Sequence, residues 1–112
     1  MKIVFFGDSI TDCGRDRADD ASLGNGYVAI LYEKLKNLYE DVKFEFLNRG
    51  IGGNRVCDLA ARVDADVVAE KPDIAVVLVG INDVWRKYDG GADFDLDAFS
   101  AAYEEVLKKI KD

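Results

Sequence analysis

The stretch "KIVFFGDSIT", residues 2–11, decides how this chain is expected to fold. Its first five residues form a near-continuous apolar run, rich in β-branched and aromatic side chains, which is typical of a strand buried in a parallel sheet. Gly7 ends that run, and the hydroxyl of Ser9 follows directly after an acidic residue. The stretch therefore predicts a buried first strand that delivers a serine to one edge of a sheet.

Two further strands and three helices follow from the apolar pattern. Residues 43–48 (KFEFLN) and 73–79 (DIAVVLV) predict strands, and the second of these is the more hydrophobic. Apolar residues at helical spacing predict a helix after each strand, with stripes at Tyr27, Leu31, Leu35 and Leu38, at Val56, Leu59, Val63 and Val67, and at Phe99, Tyr103, Val106 or Leu107, and Ile110. This alternation predicts an α/β fold with right-handed crossovers and a parallel sheet.

The segments between these elements read as loops. Residues 12–26 and residues 80–95 are polar and contain glycines, and a loop of such length in a small domain is usually functional. Ser22 or Asn25 is the expected cap of the first helix, and Asp95 or Asp97 is the expected cap of the third.

Length and charge limit the functional classes. The 112 residues suffice for one domain, residues 1–112, with one core. The net charge of -7, from 15 basic and 22 acidic residues, argues against nucleic-acid and anionic-membrane partners. The N-terminus lacks the apolar core of a signal peptide, and Cys13 and Cys57 read as two reduced thiols, so we expect a cytoplasmic protein.

Polar groups follow each of the three predicted strands. Gly7-Asp8-Ser9 comes after the first strand, Gly52-Gly53-Asn54 after the second and Gly80-Ile81-Asn82-Asp83 after the third. Singly, Ser9 reads as a helix cap, the paired glycines as a tight turn and Asn82 as a turn former. Because the carboxyl ends of parallel strands meet at one edge, the three segments together place a hydroxyl, a glycine N–H and a side-chain amide at one site. Acyl transfer requires this set of groups, namely a nucleophile and donors for an oxyanion.

These motifs resemble a known family. The segments "GDSIT", "NRGIGGN" and "GIND" resemble, in order and spacing, the first three sequence blocks of the SGNH (GDSL-type) hydrolases, which are esterases and lipases. The stretches "FFGDSITDCGR" and "LVGINDVWR" are most similar to the small bacterial acylhydrolases of that family, some of which act on acetylated sugars. The resemblance covers essentially the whole chain. It implies a flavodoxin-like, doubly wound three-layer sandwich, here truncated to about three strands and three helices, with the first strand between the second and third.

The resemblance also implies roles for individual residues. Ser9 would be the nucleophile, and its own N–H, the backbone N–H of Gly53 and the side chain of Asn82 would form the oxyanion hole. The substrate would be a small-molecule or carbohydrate acyl ester, with no cofactor and no metal.

Five further residues are candidates for contacts with substrate. Asp8 either orders the nucleophile turn or contacts the substrate. Trp85 and Tyr88 either line an acyl or sugar pocket or cap the end of the core. Arg15 and Arg17 either pin the long loop, meet an acidic group of the substrate or are simply solvated.

One part of the family pattern is missing. The fourth block, an Asp-x-x-His segment, supplies the base that activates the serine, and this chain contains no histidine. We therefore expect the domain to be incomplete at its C-terminus and inactive by itself. Its third strand would then form an exposed edge, which predicts self-association or pairing with a missing C-terminal half.

Other functional classes remain as alternatives. A non-catalytic scaffold or folding fragment would keep the same geometry without turnover. A magnesium-binding phosphoacceptor module would use Asp8, Asp12 and Asp83 as oxygen ligands. An α/β-hydrolase is disfavoured because Ser9 lacks the second glycine of a nucleophile elbow. A dinucleotide site is disfavoured because Arg55 stands where the third glycine is required.

Overall fold

The sheet consists of three parallel strands, β1 (Lys2–Gly7), β2 (Glu45–Gly50) and β3 (Ile74–Leu78). The structure is a computed structural model that describes residues 1–88 and 95–111, with side chains for residues 1–85 and 95–111. The strand order is β2-β1-β3, and Phe5 in the central strand lies opposite Asn48 on one side and Val76 on the other. The predicted position of the first strand between the other two is confirmed.

Five helices accompany the sheet in the described part of the chain. They are α1 (Ser9–Asp12), α2 (Tyr27–Leu38), α3 (Val56–Asp66), α4 (Ile81–Tyr88) and α5 (Leu96–Lys111), with one 3₁₀ turn at Val68–Glu70. Helix α2 connects β1 to β2, and α3 connects β2 to β3 in the opposite direction across the sheet. The two helices lie on opposite faces of the sheet, since the buried residues of α2 and α3 belong to different core clusters.

The core has one layer on each face of the sheet. Val4 and Phe6 point to the face covered by α3 and α5, where the buried residues are Leu47, Leu59, Val63, Val67 and Val106. Ile3 and Phe5 point to the other face, where they pack with the buried Val28 of α2 and with Phe46. This alternation follows from the period of two in a strand. The predicted three-layer α/β architecture is therefore confirmed.

The predicted loop over residues 80–95 is wrong for its first half, because residues 81–88 form helix α4. The glycine, asparagine and aspartate at its start are turn formers, but here they begin a helix. The N–H of Val84 donates to the carbonyl of Gly80, and the side chains of Asn82 and Asp83 bind residues 54–56. These long-range hydrogen bonds fix the first turn of the helix. Residues 89–94 lie outside the described part of the chain.

Smaller differences concern caps and bounds. Neither Ser22 nor Asn25 caps α2, whose N-cap is Gly26 without a side-chain hydrogen bond. Asp95 caps α5, since its carboxylate accepts from the N–H groups of Asp97 (3.0 Å) and Ala98 (3.3 Å). Strand β2 begins and ends two residues later than predicted.

The outer edge of β3 carries apolar side chains. Ile74 is 45% exposed and Leu78 is 42% exposed, and within the described residues β3 pairs only with β1. Within the described residues, no helix is both long enough and apolar enough to cross a membrane.

Candidate active site

The turn after β1 presents Ser9 at the sheet edge. The carboxylate of Asp8 accepts from the N–H of Ile10 (3.0 Å), and its carbonyl accepts from the N–H of Asp12 (2.9 Å). Asp8 is therefore the N-cap of the short helix α1 and is 1% exposed, whereas Ser9 begins that helix and is exposed. The contacts of Asp8 are those of a residue that orders the turn.

The loop after β2 lies against this turn. The N–H of Ile51 donates to the carbonyl of Gly7 (3.0 Å) and so continues the pairing of β1 with β2. A Cβ built on Gly52 would lie 3.7 Å from the Cβ of Ser9. Gly53 has a φ of +85°, which favours glycine, and a Cβ at that position would enter open space. The backbone at Gly53 is therefore accessible at the edge where Ser9 is exposed.

Helix α4 binds the same loop through its first turn. The side-chain amide of Asn82 donates to the carbonyl of Asn54 (3.0 Å), and the carboxylate of Asp83 accepts from the N–H of Val56 (3.1 Å). A primary amide has two N–H groups, so one holds Asn82 in place and the other is available to a ligand. Burial raises the pKa of Asp83, although the N–H of Val56 opposes this shift.

Two of the three proposed oxyanion donors have no partner among the described residues. No described residue accepts a hydrogen bond from the N–H of Ser9 or of Gly53, and none pairs with the hydroxyl of Ser9. The structure thus brings Ser9 next to the loop of Gly53, and it brings Asn82 onto that loop. Free donors beside an exposed hydroxyl suit the developing charge of a tetrahedral intermediate.

Asp12 supports this arrangement in a way that the sequence analysis missed. Its carboxylate binds the N–H of Gly52 (3.0 Å) and the guanidinium of Arg17 (2.6 Å), and Arg15 lies 3.8 Å away. Burial by itself would raise the pKa of Asp12, but the hydrogen bonds from Arg17 and Gly52 outweigh it and hold that pKa below its ordinary value. The sequence does contain a signal for this cluster, because Arg15 and Arg17 follow Asp12 by three and five residues.

The two arginines differ in their surroundings. The side chain of Arg15 is 7% exposed and donates to the carbonyl of Gly50 (2.8 Å), so Arg15 pins the long loop to β2. The side chain of Arg17 is 54% exposed. Its terminal nitrogen lies 3.8 Å from the point where a Cβ on Gly52 would stand. A cationic group therefore lies at the margin of the site.

Asn48 anchors the nucleophile turn from below. Its buried amide donates to the carbonyls of Thr11 (2.7 Å) and Leu23 (2.9 Å), and its oxygen accepts from the N–H of Gly50 (2.9 Å). Because all three bonds are buried or partly buried, the amide fixes both α1 and the long loop on β2. A single asparagine near a strand end gives no such signal in the sequence.

The aromatic candidates lie on α4. Trp85 is 60% exposed, so the prediction that it caps the core is wrong. It follows Asn82 by three residues and therefore lies on the same face of that helix. Tyr88 is the last residue of α4. The structure describes the side chains of this helix only as far as Trp85, so the side chain of Tyr88 is not described.

The three aspartates of the magnesium alternative have other partners, since Asp8 and Asp83 cap helices and Asp12 forms ion pairs. Within residues 1–88 and 95–111, no three histidine, cysteine or acidic side chains come together to hold a metal ion. Cys13 and Cys57 are free, exposed thiols.

Comparison with known proteins assigns the chain to a family. Residues 5–112 match the GDSL-like Lipase/Acylhydrolase family. An acetylxylan esterase from Geobacillus stearothermophilus is 42% identical over 113 residues, which cover 97% of this chain and 52% of that protein. The crystal structure of Axe2, an acetylxylan esterase from the same organism, matches with a TM-score of 0.91 at 42% identity and covers 98% of this chain and 54% of its own. Other matched structures are catalytic mutants of Axe2 in which a serine, an aspartate or a histidine is replaced by alanine.

The chain spans about half the length of these relatives. The match to the family nevertheless extends over nearly all of its residues. The chain therefore belongs to the GDSL-like lipase/acylhydrolase family.

Proposed function

We propose that this chain carries the nucleophile and the oxyanion hole of a serine ester hydrolase. Ser9 is the nucleophile, and the N–H groups of Ser9 and Gly53 and the side-chain amide of Asn82 are the oxyanion donors. The observation that carries this proposal is the position of the exposed Ser9 beside the loop of Gly53, where the N–H groups of both residues have no partner among the described residues.

In the proposed reaction the hydroxyl oxygen of Ser9 attacks the acyl carbonyl of the ester and forms a tetrahedral oxyanion. The oxyanion collapses, the alcohol leaves with a proton, and water then hydrolyses the acyl-serine. The proton of Ser9 must pass to a base. Asp8 is engaged as a helix cap and Asp12 is paired with arginines, so neither carboxylate suits that role. The 112 residues contain no histidine, so we place the base outside them.

We further propose an acetylated carbohydrate as the substrate. The relative named above is an acetylxylan esterase, and the indole of Trp85 is exposed on the face of α4 that carries Asn82. An exposed indole offers a flat apolar surface with a polar N–H, and both suit the ring of a sugar. In this proposal Trp85 contacts the alcohol part of the ester while Asn82 contacts its carbonyl oxygen. A contact of Tyr88 with the substrate stays a prediction.

A chimera tests the proposed function. Residues 1–112 are joined to the part of Axe2 that this chain does not span, and the release of acetate from acetylated xylooligosaccharides and the hydrolysis of p-nitrophenyl acetate are measured. We expect the chimera to hydrolyse both esters and the 112-residue polypeptide to hydrolyse neither above the buffer rate. A folded but inactive chimera would favour the non-catalytic scaffold, and hydrolysis by the 112-residue polypeptide would show that another group serves as the base.

We also propose that the 112-residue polypeptide associates through the outer edge of β3. Alternate peptide groups of an edge strand face outward unpaired, and no lysine or proline interrupts the apolar strand. Ile74 and Leu78 add exposed apolar side chains, and an apolar groove of about 380 Å³, lined by Met1, Ile3, Leu35, Tyr39, Val42, Phe44 and Ile74, lies next to the edge.

Sedimentation velocity measures this association. Ile74→Lys and Leu78→Lys should each shift the polypeptide towards the monomer at high micromolar concentration, because a charge on an edge strand opposes pairing. Leu96→Lys, on an exposed residue of α5, is the matched control and should leave association unchanged. A monomeric parent polypeptide would contradict the proposal.

A further inference from the structure

Arg62 of α3 contacts two of the three segments that form the proposed site. Its Nε donates to the side-chain oxygen of Asn54 (2.9 Å), and its Nη2 donates to the carbonyl of Gly7 (3.0 Å). Its Nη1 donates to the carbonyl of Arg49 (2.8 Å) and to the carboxylate of Asp66 (2.7 Å). One guanidinium therefore connects the end of β1, the end of β2 and the loop that contains Gly53.

The position of this guanidinium is fixed. The side chain is 16% exposed, its charge is paired with Asp66, and its central carbon lies 4.5 Å from the centre of the Phe6 ring. A guanidinium presents its donors in a rigid planar fork, so its acceptors cannot shift independently without loss of a hydrogen bond. The cation over the ring face adds a further attraction.

Two acceptors of Arg62, Gly7 and Asn54, lie close to the proposed oxyanion donors. The carbonyl of Gly7 is one peptide before the N–H of Ser9, and it also accepts from the N–H of Ile51 at the start of the Gly53 loop. Asn54 follows Gly53 directly, and its carbonyl accepts from the side chain of Asn82. Arg62 therefore connects to Gly53 and Asn82 through Asn54, and it connects to Ser9 through Gly7 and Asp8.

We infer that Arg62 is a positioning residue that holds the three oxyanion donors in their relative places. This inference rests on the proposed function. Donors act in the transition state only when they are aimed at the developing charge, and a displacement of about 1 Å can cost about 10²-fold in rate. Loss of Arg62 should therefore lower kcat and affect KM little.

Kinetics of the chimera test the inference. Arg62→Met keeps an unbranched apolar side chain but removes every hydrogen bond, and we expect kcat to fall about 10²-fold while KM changes less than about threefold. The kcat of Arg62→Lys should lie between that of the parent chimera and that of Arg62→Met. The matched control is Arg49→Met, because the side chain of Arg49 is partly buried and forms ion pairs with Asp20 and Glu70, whereas the group of Arg49 that binds Arg62 is its backbone carbonyl, which the substitution keeps. We expect its kcat to stay within about threefold of the parent.

A second measurement does not depend on activity. In NMR spectra of the 112-residue polypeptide, Arg62→Met should move the resonances of the Asn82 side-chain amide and of the Gly53 N–H, and Arg49→Met should leave them in place. Unchanged resonances in Arg62→Met would overturn the inference whether or not the chimera is active. A parent-like kcat in Arg62→Met, or an equal loss in Arg49→Met, would also overturn it. The Ser9→Ala chimera reports separately on the proposed function.

Discussion

Replacing Ser9 by alanine in the chimera should lower kcat for p-nitrophenyl acetate by about 10⁵- to 10⁶-fold, because removal of the nucleophile leaves only the contributions of the oxyanion hole and of substrate binding. The hydroxyl of Ser9 is exposed and binds no described residue, so the free energy of unfolding should change by less than about 0.5 kcal/mol. Steady-state kinetics and a thermal melt of the same preparation provide both values.

The matched control is Ser100→Ala, which removes an exposed hydroxyl from α5. Its kcat should equal that of the parent chimera. If Ser9→Ala retained more than about a tenth of the parent kcat, Ser9 would not be the nucleophile. The active serine would then have to be sought in the part of the chimera that comes from Axe2.

Replacing Asn82 by alanine should lower kcat of the chimera by about 10²- to 10³-fold, since it removes one donor aimed at the developing oxyanion. KM should change little, because that interaction strengthens mainly in the transition state. The variant also loses the hydrogen bond to the carbonyl of Asn54, so a modest loss of stability of about 1 kcal/mol should accompany it.

Asn37→Ala, on the exposed surface of α2, controls for the loss of an asparagine elsewhere and should leave both constants unchanged. A raised KM with an unchanged kcat in Asn82→Ala would instead assign Asn82 to binding of the ground-state ester. A parent-like kcat and KM would remove Asn82 from the proposed oxyanion hole.

The strands and the candidate residues at their ends could be predicted from sequence because both signals are local. The apolar run before Gly7 is long enough to indicate a buried strand, and a polar residue directly after such a strand must lie at its carboxyl end. Ser9, Asn82 and the glycine pair Gly52-Gly53 became candidates in this way, and the resemblance to the family then singled out Gly53. The same argument explains why Asp8 and Asp83 remained ambiguous, since a carboxylate at a strand end serves equally well as a helix cap or as a ligand.

The support of the site could not be predicted, because it depends on contacts between residues far apart in the chain. Arg62 binds a carbonyl 55 residues away, and Asn48 binds one 37 residues away. Neither pair leaves a pattern in a single sequence. Helix α4 was missed for a related reason, because its turn-forming first residues are held in a helix only by their bonds to residues 54–56. The two alternatives for Trp85 could not be separated, because a single sequence does not show which residues cover an aromatic side chain near the end of a sheet.

The central place of β1 in the sheet has a consequence for how the chain acquires its structure during synthesis. Strand β1, which ends at Gly7, leaves the ribosome before its two neighbours, whose first residues, Glu45 and Ile74, come 43 and 72 residues after Lys2. Pairing over such sequence distances is slow, because the closure entropy of long loops must be overcome before the contacts form. The turn of Ser9 is therefore translated well before the strands that flank β1 are in place. A translation pause after β2 would leave one side of β1 open to pairing with another nascent chain.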